Sequence, residues 1–529
     1  MNAKLNSKAY IVGGGVAGLA AAVYFITDAE LPASQIVLFE ESGVLGGSLD
    51  ASGSPQDGYL MRGGRMFEEH YVCTYDLLSK IPSFDDPGVN ASDDIRNFTE
   101  SAGWNATARL LNRKGEIIDA SRMGFDWGDR IALGRLLIAS EAALRDKRID
   151  EVFPRHFFTS NFWLMWCTMF SFQPWHSAVE MRRYLLRFIH LFPTIADLSC
   201  VWHTRYNQYH SMVEPLRKWL EAKGVAFRQG TRVLDMDLEE AAGGFRVAQL
   251  KTRDVRSGAE RDIALAQDDL VVFTNGSMTD ASTYGSMTEP AVLDDKSLGG
   301  SWALWKTLAA KREGLGRPEV FIRAIDKSKW LSFTVTVSTP LFRNLIGKLT
   351  QRPYGREGLI TFKDSSWFMT IHPHFNPTYP GQSPDQDIWW GYGLNPDAPG
   401  DFVKKRMSDC TGEELLRETY AHLRFDEDLD ALMAQSLARP CTMPYITSQF
   451  MPRVKGDRPD VLPANSKNLA FVGQFAEAPD DVVFTVEYSV RVARMAVDAL
   501  LGLNTAIPPV YKGQHDLFVL IDALRESLS

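Results

Sequence analysis

The glycine triplet near the N-terminus leaves this chain few folds to choose from. A short apolar run, Tyr10 to Val12, stops at Gly13, Gly14 and Gly15, and Gly18 is followed by the helix formers Leu19 to Ala22. That is the strand–turn–helix setting in which a Gly-x-Gly-x-x-Gly pattern binds a dinucleotide. Gly13 serves the tight turn, Gly15 lets backbone N–H groups reach a pyrophosphate, and Gly18 lets helix and strand pack closely. A second apolar run, Ile36 to Phe39, ends in Glu40, whose carboxylate suits ribose hydroxyls and repels a 2′-phosphate. Further strands are predicted at 226–236, 269–276 and 469–473, and helices at 212–224 and 485–501. The nucleotide fold is therefore assembled from pieces far apart in the chain.

The predicted class is α/β, a discontinuous Rossmann-type FAD-binding domain with inserted substrate-binding domains and a small helical C-terminal segment. Residues 1–84, 201–289 and 441–505 make the nucleotide domain. Residues 85–200 form a mainly helical insertion lining the substrate pocket, 290–440 a substrate-binding domain, and 506–529 the C-terminal segment. The aromatic stretch Phe157 to Trp175 lacks charge but holds Thr159, Ser160, Asn161, Gln173 and Pro174. It reads as a buried cavity wall and not as a membrane span. Near the end, Leu517, Phe518, Leu520, Ile521 and Leu524 share one helical face. Such a face either docks on the core or lies weakly on a bilayer, since few Lys or Arg accompany it.

A formal charge of −9 speaks against a nucleic-acid partner, which would meet a basic surface. The five cysteines are odd in number and have no CxxC spacing, so they read as reduced, buried thiols of a cytoplasmic protein. The first apolar segment is already the dinucleotide strand, which leaves no signal peptide to expect.

The strand Leu469 to Gly473 feeding a late helix resembles the place where flavoproteins of the glutathione-reductase type close their cofactor site, which favours FAD over NAD. Several more specific motifs together resemble the oleate hydratases, FAD-dependent fatty-acid hydratases also called myosin-cross-reactive antigens. They are Gly13 to Gly18, Arg62-Gly63-Gly64-Arg65, Phe172 to Ser177, Arg182 to Leu185, Arg205 to Tyr209, Arg439 to Ile446 and Phe471 to Phe475. The resemblance implies addition of water across the cis-9 double bond of a fatty acid such as oleate, giving the 10-hydroxy acid, with flavin required and no net redox change.

It also implies the site. Tyr184 stands at the family's proton donor, with Arg182, Arg183 and His190 expected to support the phenolate. Where most members have a water-activating glutamate, this chain has Met66, and a thioether takes no proton from water. Either the cation is reactive enough to trap water unaided, which is the favoured expectation, or another carboxylate or a backbone carbonyl orients the water. Glu68 and Glu69 are the candidate surrogates, although a shift of two or three positions changes which way a side chain points. Gln208, Thr370, His372 and His374 match the carboxylate site; His372 replaces an Asn and, if protonated, would hold the anion more firmly. The His-x-His pair lacks a third ligand, so no metal is expected. Gly13, Gly15, Gly18, Glu40, Gly47, Gly63, Gly64, Gly473 and Gln474 are expected to hold FAD. The partner is a free fatty acid, and the chain a monomer or homodimer. A redox flavoenzyme of amine-oxidase or desaturase type, and a non-catalytic lipid binder, are the alternatives on this fold.

Overall fold

The computed structural model describes residues 7–64 and 66–528; Arg65 of the Arg62-Gly63-Gly64-Arg65 motif lies outside them. Ala9–Val12 is buried at every position, as a parallel strand covered on both faces requires. Among the described residues it is the middle of a five-stranded parallel sheet ordered Leu469–Val472, Leu270–Thr274, Ala9–Val12, Ile36–Glu40, Ala226–Gln229. The predicted strands meet in this sheet except that 226–236 divides, its second part entering Thr231–Ala241 of a separate antiparallel sheet, of three strands among the described residues.

Helix Val16–Thr27 leaves the first strand through Gly15 and packs on helix Val486–Leu501. The latter begins where the Thr485 side chain caps it by accepting from Tyr488 N. The close approach of strand and first helix depends on Gly18, where a Cβ would fall 2.0 Å from the Gly13 carbonyl oxygen. The helix expected at 212–224 opens with a π turn, Tyr209–Val213, before its regular part Glu214–Lys223.

A second sheet, of eight strands among the described residues, forms the floor of the substrate region. Its long strand Trp330–Val337 is buried throughout and alternates. Leu331, Phe333, Val335 and Val337 enter an apolar cluster with Phe342, Trp389 and Tyr420. On the opposite face the hydroxyls of Thr334 and Thr336 accept from Met61 N at 3.0 Å and Tyr59 N at 2.9 Å. Strand Gly58–Met61 of the nucleotide domain is thereby tied to the floor.

This sheet crosses the expected segment boundaries. It takes Leu110–Leu111 and Ile117–Ile118 from the mainly helical insertion, and Thr283–Tyr284 and Ser436–Met443 from either side of 290–440. Two-residue strands carry too little alternation to show in a sequence. The aromatic stretch forms Arg155–Thr159 and helix Asn161–Phe170.

The C-terminal helix Leu517–Leu528 packs against Ile189–Thr194, with Ala523 against the main core. Its other face is open: Phe518 is 79% exposed, and Leu517, Ile521, Leu524 and Leu528 are exposed beside it. Among the described residues no helix is long and apolar enough to cross a membrane. The cysteines are all free, and four are buried; Cys200 is exposed, against expectation.

Gly18→Ala puts a methyl group against backbone that cannot turn aside, and we expect it to cost about 1–3 kcal/mol. Urea unfolding of the two proteins checks this; equal midpoints would remove the steric argument.

Candidate functional site

Two cavities lie along one ribbon of the chain, Arg62 in the first and Gly64 in the second. The first, about 530 Å3, opens beyond the ends of the parallel strands and is lined by Gly13, Gly14, Gly15, Glu40, Gly47, Arg62 and Thr274. Its volume is in the range of about 300–1,000 Å3 usual for ligand sites, and its place is the one where open parallel sheets bind nucleotides. Gly13 has φ +108°, open to glycine at little cost. Gly47 approaches Gly15 so closely that its Cβ would stand 3.3 Å from the Gly15 Cα.

Glu40 accepts from Gly14 N and Ser42 N, both at 2.8 Å, so its carboxylate is fixed at the strand end. Thr274 Oγ1 and Arg62 Nε are buried in this region without a hydrogen-bond partner among the described residues. Unsatisfied buried polar atoms of this kind are costly, and a polar ligand relieves them. The fingerprint, the fixed acid and the two orphan atoms fit a dinucleotide. Gly18 serves strand–helix packing, while Gly473, φ +94°, sits against Thr274, and Gln474 is half-buried beyond it. Sequence reasoning missed Asp50, paired with Arg62 at 2.7 Å, and Asp280, whose carboxyl burial pushes up to about 6.

From Arg62, in the first cavity, the backbone runs through Gly63 to Gly64, which lines a second, largely apolar cavity. Gly64 lies flat on His372; a Cβ there would be 3.1 Å from the His372 Cδ2. Met66, Glu68, Tyr184, Phe188, Leu191, Trp330, Trp390 and Tyr392 share this second wall. Strand alternation supplies part of it: Met369 and Ile371 of strand Met369–Pro373 face the apolar cluster, leaving Thr370 and His372 on the other side. His372 also belongs to an adjoining polar pocket with Gln208, His374, His203 and Trp104. At the other end, Phe170, Phe188, Leu191 and Val201 continue into an apolar pocket with Phe192 and Ile195. The cavity that holds Tyr184 therefore shares a wall with imidazoles and an amide through His372, and another with hydrocarbon through Phe170, Phe188, Leu191 and Val201. Thr370 is apart from these walls, with its hydroxyl 3.1 Å from that of Thr361.

Tyr184 is on helix Ala178–Arg187, capped by Ser177, whose side chain accepts from Glu180 N. Its ring is enclosed by Phe170, Phe172, Phe188 and Phe450 at centroid distances of 5.0–5.8 Å. Its hydroxyl donates to the Val483 carbonyl. Burial, and then the charge of Glu180, hold the phenol well above its ordinary pKa.

Of the three cations expected beside Tyr184, Arg183 and His190 are engaged elsewhere, while Arg182 Nε is buried without a hydrogen-bond partner among the described residues. Arg183 pairs with Glu141 at 2.7 Å and Glu477 at 2.8 Å, and His190 faces Glu68 at 3.3 Å. Arg458 is the cation whose charge favours the phenolate. Sequence adjacency misled here because consecutive helical residues point about 100° apart.

The acids behind Met66 separate sharply. Glu68 is 2% exposed on the cavity wall, whereas the Glu69 side chain is 64% exposed. Phe67 forms a β-bridge with Trp202. Met66, Phe67 and Glu68 all line the second cavity, so the displacement from 66 to 68 keeps a side chain on its wall. Glu68, His70 and His190 also bring possible metal-ligating atoms within 4.8 Å of one another. The Arg187 guanidinium, 2.8 Å from Glu68, opposes a second cation there.

The protonated form of His372, which would clamp an anion by charge, is disfavoured by burial. The residue is 4% exposed, and burial holds its pKa down to about 4. His203 and His374 are likewise held well below the ordinary value by burial. A histidine depressed on folding binds its proton more readily when unfolded, so stability rises with pH through that window. For His372 the contribution is present above pH 6.5 and is lost as pH falls toward 4. His372→Asn should flatten the stability profile there by up to about 1.4 kcal/mol per pH unit. Urea unfolding between pH 4.5 and 6.5 measures it; an unchanged slope would show that His372 is already charged in the fold.

The family model described as "MCRA family" matches residues 6–497. An oleate hydratase of Streptococcus pyogenes serotype M49 (strain NZ131) is 41% identical over 525 residues, covering 97% of this chain and 88% of that protein. A linoleate hydratase of Lactiplantibacillus plantarum is 34% identical over 544 residues, covering 94% of each. Among solved structures, a putative protoporphyrinogen oxidase from Exiguobacterium sp. 255-15 superposes with TM-score 0.51 at 13% identity, covering 94% of this chain and 99% of that one. An oxidoreductase from Methanosarcina mazei gives 0.50 at 11%, covering 93% and 100%. These two share the fold alone. The family match over most of the length, and two hydratase relatives above 30% identity over nearly all of it, lead to one conclusion: the chain belongs to the MCRA family.

Proposed function

We propose that this protein adds water across the cis-9 double bond of an unsaturated fatty acid such as oleate, giving the 10-hydroxy acid, with FAD bound and no net redox change. The observation that carries the reading is the order of groups along three cavities that share wall residues. Polar donors come first, then Tyr184 midway, then an apolar end. A fatty acid presents carboxylate, alkene and tail in that same order. The hydratase names of the two relatives support it.

Neutral imidazoles at His203, His372 and His374, with Gln208, would bind the carboxylate by donated hydrogen bonds. An alkene offers no polar handle, so the difficult step is delivering a proton to carbon. Burial keeps that proton on Tyr184 at any working pH, and the surrounding phenylalanines exclude the water that would otherwise compete for it. FAD, when bound, supplies an electrostatic partner for the positive charge that develops on the alkene. Gly63 and Gly64 bring backbone between the two ligands without a side chain to separate them.

Incubation with oleate, with and without FAD and a reductant, followed by mass analysis, tests the reading through a gain of one water. A redox flavoenzyme would instead bleach its flavin in step with substrate. Tyr184→Phe removes the proton and keeps the ring, so hydration should fall at least ~10² while FAD is retained. Full activity in that variant would dismiss Tyr184 as the acid.

We also propose a cytoplasmic location with weak bilayer contact through the exposed stripe of helix Leu517–Leu528, a means of meeting a substrate that partitions into membranes. The stripe is apolar with little basic rim, so binding should depend little on salt. Phe518→Ser with Ile521→Ser alters exposed positions only. It should abolish co-sedimentation with liposomes and leave activity on dispersed substrate intact; unchanged sedimentation rules out this surface.

A further inference from the structure

The cavity wall that holds Tyr184 contains, among the described residues, a single carboxylate, Glu68. We propose that Glu68 holds the attacking water against the alkene and takes its proton, a role resting on the hydratase reading above. Glu68 is fixed from behind. Oε2 accepts from His70 N at 2.8 Å and faces His70 Nδ1 at 2.9 Å and His190 Nε2 at 3.3 Å. Oε1 ion-pairs with Arg187 at 2.8 Å yet makes no hydrogen bond among the described residues. One buried oxygen of a residue that lines the cavity therefore retains capacity for a donor.

These partners hold the carboxyl well below its usual range, so Glu68 stays anionic as positive charge grows on the neighbouring alkene. A strong base is unnecessary. Water that has bonded to a carbocation becomes a protonated alcohol, a far stronger acid than any carboxylic acid, and gives its proton even to so weak a base. The atoms balance. The Tyr184 O–H proton goes to one alkene carbon as the π bond breaks. The water oxygen bonds to the other carbon, and its surplus proton passes to Glu68. Return of that proton to the Tyr184 phenolate restores both groups, and nothing is oxidised or reduced.

Partition of the cation separates this role from support of the fold. A cation with no held water loses a proton to regenerate an alkene, which in D2O appears as deuterium in recovered or isomerised fatty acid. Initial rates of alcohol formation and of deuterium entry into alkene are measured in D2O on FAD-loaded protein. For Glu68→Gln we expect the alcohol rate to fall at least ~30-fold while the ratio of exchange to hydration rises at least ~10-fold. Met66→Glu added to that variant returns a carboxylate to the same wall and should bring the ratio back. A fall of both rates in equal proportion, or an unchanged alcohol rate, overturns the proposal. If Glu68→Gln fails to retain FAD, Glu68→Asp is judged by the same ratio, and an unchanged ratio is again fatal. Absence of any alcohol from the unaltered protein would instead refute the hydratase reading itself.

Discussion

Arg187, its side chain 1% exposed, stands between Glu68 at 2.8 Å and Asp481 at 3.6 Å. Burying such ions costs several kcal/mol each unless partners compensate, and here the compensation extends as a row. Asp481 meets Arg491 at 2.9 Å, Arg491 meets Glu487 at 2.8 Å, and Glu487 accepts from the backbone of Cys73 and Thr74. A second row joins Arg458, Glu180, Arg453, Glu477 and Arg183. Together they tie helices Val72–Ser79, Ala178–Arg187 and Val486–Leu501 to the loop between Glu477 and Thr485. That loop carries Val483, which receives the Tyr184 hydroxyl, and Phe484, which closes the cavity wall. Loss of one member would leave a buried charge alone, typically at ~3–5 kcal/mol, and would loosen the acid's support at the same time.

The low dielectric that raises the cost of those ions also sets the chemistry. It keeps a proton on Tyr184 and keeps protons off His203, His372 and His374. The imidazoles of the polar pocket are thus neutral, with Trp104 stacked on His203 at 3.6 Å to fix that ring, and Arg205 is the cation in the same lining. A carboxylate entering there meets directed imidazole and amide dipoles, with Arg205 as the one positive charge of that lining among the described residues.

Much of the nucleotide fold was legible in the sequence, since glycine spacing, apolar runs and a terminal acid are local signals. Gly13, Gly15, Glu40 and Gly47 stand together around one cavity for that reason. The substrate side was legible as a set of residues more than as a geometry. Tyr184, Met66, His372, His374 and Gln208 line adjoining cavities, while Thr370 turns to Thr361 instead. Helix facing, which sent Arg183 away from Tyr184, and the course of the chain that puts both Met66 and Glu68 on one cavity wall are decided by packing partners distant in sequence. The charge state of His372 likewise follows from burial, which a motif does not encode. His203 could have been suspected from its place two residues before Arg205, but its role as a wall needed the strand carrying His372.

The parallel sheet has an implication for how the chain reaches this state. Its central strand Ala9–Val12 pairs on one side with Ile36–Glu40, made soon after it, and on the other with Leu270–Thr274. At translation rates of about 5–20 residues per second, the second neighbour emerges roughly 13–50 s later. Throughout that interval a fully apolar strand has an open edge, the kind of surface on which nascent chains associate wrongly. The outer strand Leu469–Val472 completes the sheet only near the end of synthesis. The dinucleotide fingerprint is thus among the first elements written and among the last to be secured, and the yield of folded protein rests on how well that early strand is shielded while it waits.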